Sequence, residues 1–231
     1  GILSRHAPVL RRAALSMRIT PDLVAACPQF TNPLREREIK LRACKIPAIE
    51  NLGATQDQFD TIDLSDNEIR KLENFPLLRR AKTILLSNNL IFRLSDDIKD
   101  SLPAVHTLMM ANNSLLNLVD LKPLIHLPAL TRLCLLDNNV TKQPNYRLYI
   151  INLLPNLMVL DFKKVKPKER EAAAKLFADG MLQIEEEARK PTASQLTAIK
   201  AAITNASTLD EVNKLEQLLK QGQNVDAMEE A

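Results

Sequence analysis

The sequence predicts an α/β solenoid. Short strands stack into a parallel sheet on the concave face of an arc, closed by a C-terminal cap and followed by an α-helical tail. Three observations predict it. One phrase closes on Asn67, Asn89, Asn113 and Asn138: two apolar residues two apart, two variable residues, Asn, a variable residue and another apolar one. A fifth copy, Ile39 to Ile46, closes on Cys44 instead. The closing residues are 23, 22, 24 and 25 positions apart, so the copies run in phase.

That period and phrase define a leucine-rich repeat. The Asn copies read Ile62 to Ile69, Ile84 to Ile91, Leu108 to Leu115 and Leu133 to Val140. One such unit cannot bury its own strand, so stability requires stacking. The Asn amide bonds the backbone of a tight turn whose polar groups would otherwise be unpaired. Other apolar positions keep the same register. Phe59, Ala81, Val105 and Leu130 lie three before the first strand residue, and Leu72, Leu94 and Leu118 lie five after the Asn.

Residues 1–16 carry three basic side chains and no acid, and read as a disordered extension or an expression remnant outside the fold. Thr20-Pro21-Asp22 is a helix start: Thr as N-cap, Pro at the first helical position, an acid in the first turn. A short helix to about Cys27 is expected to cover the open edge of the first repeat. The repeats run from about Arg35 to Asn138. Leu157, Leu160 and Phe162 then restart the pattern at core positions, but Val165 stands where Asn belongs, as in a terminal cap. Tyr146 and Arg147 read as residues that pack and hydrogen-bond within that cap. Residues 17–166 form the solenoid domain on this reading, and 167–231 form a helical tail with a disordered end. Lys168 to Ala188 has helical composition. Thr192 to Gln195 and Thr208 to Glu211 both match the capping box that starts a helix.

Composition narrows the function. The chain has 231 residues, 45% hydrophobic, at net charge +3. Residues 17–166 carry 20 basic and 16 acidic side chains and residues 167–231 carry 8 and 12, so a mildly basic solenoid precedes a mildly acidic tail. No apolar run approaches the roughly 18 residues a membrane span needs, so no membrane is expected as a partner. Three scattered cysteines, Cys27, Cys44 and Cys134, suit a reducing compartment better than a disulfide framework. Four dispersed glycines make no phosphate loop, and His6, His106 and His126 have no metal-ligand spacing. No cofactor, metal or catalytic constellation is expected. With no Trp and two Tyr, stacking platforms for single-stranded RNA are few.

Binding is expected on the concave face, where the strand residues beside the buried pair point outward. These are Lys40 and Arg42, Asp63 and Ser65, Leu85 and Ser87, Met109 and Ala111, and Cys134 and Leu136, continuing to Asp161 and Lys163. Charge at the first two strands gives way to Leu85, Met109, Cys134 and Leu136. An apolar stripe with charged ends suits an amphipathic helix laid across the arc. Basic clusters flank it: Arg35, Arg37, Lys40, Arg42 and Lys45 at one end, and Lys163, Lys164, Lys166 and Lys168 at the other.

Specific runs add a resemblance. Lys45 to Thr55, Gln58 to Leu72 and Phe75 to Arg80, with Asn145 to Tyr149 and Val159 to Phe162, resemble the A-prime family of the U2 small nuclear ribonucleoprotein. The similarity spans about Met17 to Phe177. It implies a non-enzymatic spliceosomal subunit of the nucleus. The concave face would hold a helix of the RNA-recognition-motif domain of the B-double-prime protein, and the pair would bind a stem-loop of U2 small nuclear RNA (snRNA). It makes Arg42, Asp63, Leu85, Met109, Cys134 and Leu136 partner-contacting positions. Arg35, Arg37, Lys163 and Lys164 become RNA-proximal, although RNA is held mainly through the partner. The tail is left to other spliceosomal proteins. The alternative is a leucine-rich repeat adaptor of another class, phosphatase-regulatory or axonemal, not expected to share the run Ile49 to Thr55.

Overall fold

The computed structural model describes residues 18–177. The expected extension over 1–16 and the helices expected past Phe177 lie outside the described residues. Helix α1 (Pro21–Ala26) starts as its sequence dictates, with the Thr20 hydroxyl accepting from the Leu23 N–H at 3.1 Å. Strands β1 (Gln29–Thr31) and β2 (Arg37–Lys40) make an antiparallel hairpin that closes the N-terminal edge of the sheet. From β2 the sheet continues in parallel through β3 (Thr61–Asp63), β5 (Thr83–Leu85), β7 (Thr107–Met109), β8 (Arg132–Cys134) and β9 (Val159–Leu160). A second parallel pair, β4 (Lys71–Leu72) with β6 (Arg93–Leu94), lies beyond the turns. Short 3₁₀ segments, Leu52–Thr55, Asp96–Asp100, Leu118–His126 and Asn139–Lys142, build the opposite wall.

Every strand pair that the repeat phrase marks is buried. Ile62, Leu64, Ile84, Leu86, Leu108, Met110, Leu133 and Leu135 are each 2% exposed or less. The Asn ladder shows why the closing residue matters. Asn89 Oδ1 accepts from the Ile69 N–H of the preceding repeat at 3.1 Å, while Nδ2 donates to the carbonyls of Leu64 and Leu86 at 3.0 Å. Asn113 and Asn138 repeat this pattern one step along, and Asn67 serves both Cys44 and Ile46. Each amide thus clamps its own turn to the one before. Cys44 opens the stack and has no earlier turn to clamp, so a small apolar thiol suffices there.

The cap departs from the sequence reading in two places. Phe162, expected in the core, is 68% exposed. Asp161 and Phe162 both take left-handed backbone (φ 51 and 60), so the chain doubles back into β10 (Lys163–Lys164), antiparallel to β9. Two consecutive positive φ values make a tight hairpin turn, which throws the Phe162 ring outward. The second departure concerns the boundary at Lys166. Helix α3 (Pro167–Phe177), which the sequence assigns to the tail, packs on α2 (Tyr146–Leu153) with Ala173 and Phe177 buried. The Tyr149 and Phe177 rings meet edge to face at 5.9 Å. Tyr146 and Arg147 behave as cap residues. The Tyr146 hydroxyl donates to Asp161 Oδ2 at 2.9 Å, and Arg147 donates to Glu169 and the Leu160 carbonyl.

Candidate functional site

The parallel register sets the concave face out in columns. Lys40, Asp63, Leu85, Met109 and Cys134 are aligned partners across five strands. Two residues on, Arg42, Ser65, Ser87, Ala111 and Leu136 form the next column, by the two-residue period of a strand. A column that the sequence reading missed lies two residues before: Glu38, Thr61, Thr83, Thr107, Arg132 and Val159. The same period marks it, since the strands extend one residue upstream of the repeat phrase.

Exposure divides these residues. Leu136 is exposed and Leu85, Met109, Ser87 and Ala111 are half-buried, so the apolar surface runs diagonally over β5, β7 and β8. Cys134 was expected on that surface and is not there, at 1% exposed. Its short side chain leaves almost no surface exposed, and burial raises its pKa. Asp63 and Ser65 are also buried in the free chain, because Asp63 Oδ1 turns back to accept from the Ser65 N–H at 3.0 Å. Lys40 and Arg42 are exposed but engaged: Lys40 Nζ sits 5.0 Å over the Phe30 ring and Arg42 pairs with Asp66. Asn88, ahead of Arg42, holds the Asp66 carboxyl below the usual carboxylate range.

A leucine-rich repeat family model matches residues 16–192. The U2 small nuclear ribonucleoprotein A′ of Arabidopsis thaliana is 50% identical, covering 90% of this chain and 92% of the relative. The Homo sapiens protein of the same name is 47% identical, over 90% and 89%. The crystal structure of the Drosophila melanogaster SNF/U2A′ complex contains a chain 47% identical to this one. It superposes with a TM-score of 0.70, covering 73% of this chain and 98% of that one. This chain belongs to the U2 small nuclear ribonucleoprotein A′ family.

As an A′-family chain it is a leucine-rich repeat subunit of the U2 ribonucleoprotein type, from a spliceosomal family that is non-catalytic in general. Burial pushes all three of its thiols up, Cys27 to about 12. Among the described residues no group of three or more His, Cys, Asp or Glu gathers to hold a metal. No helix among them is long and apolar enough to cross a membrane.

The two basic ends differ sharply. At the N-terminal end Arg37 stacks 5.1 Å from the Phe59 ring centre, and Arg35 lies in the β1–β2 turn with φ 62. At the C-terminal end Lys163 and Lys164 are exposed on β10, at the opposite edge of the same sheet.

Proposed function

We propose that this chain is a non-enzymatic nuclear scaffold of the spliceosome. Its concave face holds a helix from the RNA-recognition-motif domain of a B-double-prime (SNF-type) protein. The stripe from Leu85 through Met109 to Leu136 carries the reading. It is the apolar interruption in an otherwise polar inner wall, and its residues retain surface to bury. Completing their burial adds about 1 kcal/mol each, enough to anchor one amphipathic helix once the polar rim is satisfied. The SNF/U2A′ complex, in which SNF is paired with a chain so similar to this one, supports the same partner class. The partner brings the RNA reader. The solenoid fixes that reader's orientation toward a U2 snRNA stem-loop, while the segment past Phe177 is left for other spliceosomal proteins.

Calorimetry with a purified B-double-prime RNA-recognition-motif domain tests this. Met109→Glu with Leu136→Glu is expected to abolish binding while the thermal transition stays two-state near its original midpoint. Undiminished binding by that folded double variant contradicts the reading.

A further inference from the structure

The segments that follow the turns after β5 and β7 carry an apolar surface outside the concave face. Ile91 is fully buried, while Leu90 and Phe92 on either side of it stand out at 46% and 45% exposed. One repeat on, Leu115 is buried and Leu116 is 39% exposed. The backbone makes these residues neighbours. The Leu90 and Phe92 N–H groups donate to the Ile69 and Arg70 carbonyls at 3.0 Å, and the Ser114 N–H donates to the Ile91 carbonyl at 2.9 Å. Successive repeats therefore run side by side here at roughly 4.8 Å, the spacing of paired strands. Single exposed leucines are ordinary, but three large apolar side chains gathered on adjacent repeats mark an interaction surface. A polar seam separates it from the concave stripe. Asn112 Nδ2 donates to Asn88 Oδ1 at 3.0 Å and Asn88 Nδ2 donates to Asp66 Oδ1 at 2.6 Å, so the side chains between the two apolar surfaces satisfy one another.

Positive charge frames this patch. Across the in-phase segments 68–71, 90–93, 114–117 and 139–142, Glu68 is the one acid, against Arg70, Lys71, Arg93 and Lys142. The β4–β6 register sets Lys71 beside Arg93, and Arg70 is in phase with Phe92. None of the four cations forms an ion pair among the described residues. Lys142 reaches only the neutral Asn139 amide, at 3.3 Å. Asp120, whose charge reaches Arg93, is half-buried and accepts from the Asn117 N–H at 3.1 Å.

We propose that this flank is a second docking surface, taking an acidic segment of another protein whose apolar side chains seat on Leu90, Phe92 and Leu116. Such a segment brings both halves of the match, anchors for the patch and carboxylates for its frame. A purely apolar partner leaves the cations unsatisfied. A nucleic acid meets the cations and stacks on one ring, but leaves both leucines without an apolar partner. A second copy of this chain, meeting the patch face to face, sets like charges together. The inference is independent of the concave-face reading, because the seam from Asp66 to Asn112 keeps the two surfaces apart.

The probe is a fluorescein-labelled peptide of about ten residues, with Leu and Phe set between glutamates, long enough at about 3.3 Å per residue to cross the four segments. One control peptide replaces every Glu by Lys, and another replaces Leu and Phe by Ser. Anisotropy with the full chain is expected to show binding of the acidic apolar peptide alone. Phe92→Ala with Leu116→Ala is expected to weaken it about tenfold. Arg70→Ala with Arg93→Ala is expected to weaken it and to lessen its salt dependence. These side chains are exposed, so both variants are expected to keep the wild-type thermal transition. Saturating B-double-prime domain is expected to leave the peptide's affinity unchanged, and competition between them overturns the inference by placing the peptide on the concave face. Equal binding of the Lys peptide, undiminished binding by either variant, or no binding of any peptide also overturns it. Three results give the patch to another occupant and so overturn it as well. Phe92-dependent binding of an oligouridylate makes it a nucleic-acid site. A carbodiimide cross-link from Lys71 or Lys142 to an acid beyond Phe177 gives it to this chain's own segment. A concentration-dependent dimer that Phe92→Asp abolishes gives it to a second copy.

Discussion

The Tyr146 hydroxyl donates to Asp161 Oδ2 at 2.9 Å, tying the first turn of the cap helix to the turn that follows β9. The other carboxylate oxygen, Oδ1, accepts from the Leu135 N–H at 2.8 Å. One side chain therefore ends the repeat stack: it satisfies a backbone donor of β8's exit and receives the phenol of α2. Burial pushes the Tyr146 phenol above its usual range.

Removing that hydroxyl isolates its contribution. Tyr146→Phe is expected to lower the unfolding free energy by about 1.5 kcal/mol, as befits a hydrogen bond to a charged acceptor. Asp161→Ala is expected to cost about 3 kcal/mol, because it also strands the Leu135 N–H. Urea denaturation of both variants checks the order. Equal losses refute the bridging role.

The cap also sets the acid limb of stability. Arg147, reinforced by the Lys166 N–H, lowers the Glu169 carboxyl from 4.5 to about 2. A depressed carboxylate contributes stability above its unfolded pKa, and that contribution fades as pH falls from about 4.5 toward 2. The pair is partly exposed, at 27% and 28%, so its net worth is about 1 kcal/mol. Glu169→Gln is expected to be less stable at neutral pH by that amount and to converge on the wild type as pH approaches about 2. A constant gap across a pH series of melts contradicts the linkage.

The Asn ladder makes a position-dependent prediction. Asn89 is 5% exposed and serves one backbone N–H and two carbonyls at 3.1 Å or less. Asn89→Ala is expected to cost about 3–4 kcal/mol, since it leaves several buried polar groups unpaired. Cys44→Asn, at the same phase of the first repeat, is expected to change stability by less than about 1 kcal/mol, because no earlier turn awaits its amide. Chemical denaturation of the two variants measures the contrast.

How much of this was legible in the sequence follows from which interactions are periodic. The Asn phrase marked every buried strand pair, and Thr20-Pro21 marked the start of α1, because these rest on local chemistry repeated in register. The concave columns followed from strand alternation, although the column through Thr83 and Thr107 was overlooked by starting the count one residue late. Cys134 and Phe162 were misplaced for a different reason. Exposure on a sheet face depends on how far each side chain reaches, and a thiol is shorter than the side chains of Met109 and Leu136. The turn at Asp161-Phe162 carries no Gly or Asn-Gly signal, so pattern alone continued the repeat through it. The packing of α3 onto α2 is a long-range fit that composition cannot announce.

Strain at the hairpin gives a further stability test. Phe162→Gly is expected to stabilise the free chain by about 1 kcal/mol, since glycine adopts φ 60 without a Cβ clash. A melting temperature lower than the wild type's means that the ring contributes packing to the fold.

The central claim concerns what occupies the inner wall, and a crystal structure of the one-to-one complex with a B-double-prime RNA-recognition-motif domain tests it directly. A partner helix is expected to cross β5, β7 and β8, with its apolar residues seated on Leu85, Met109 and Leu136. A partner docked on the 3₁₀ wall or on α3, with those three side chains still facing solvent, contradicts the claim.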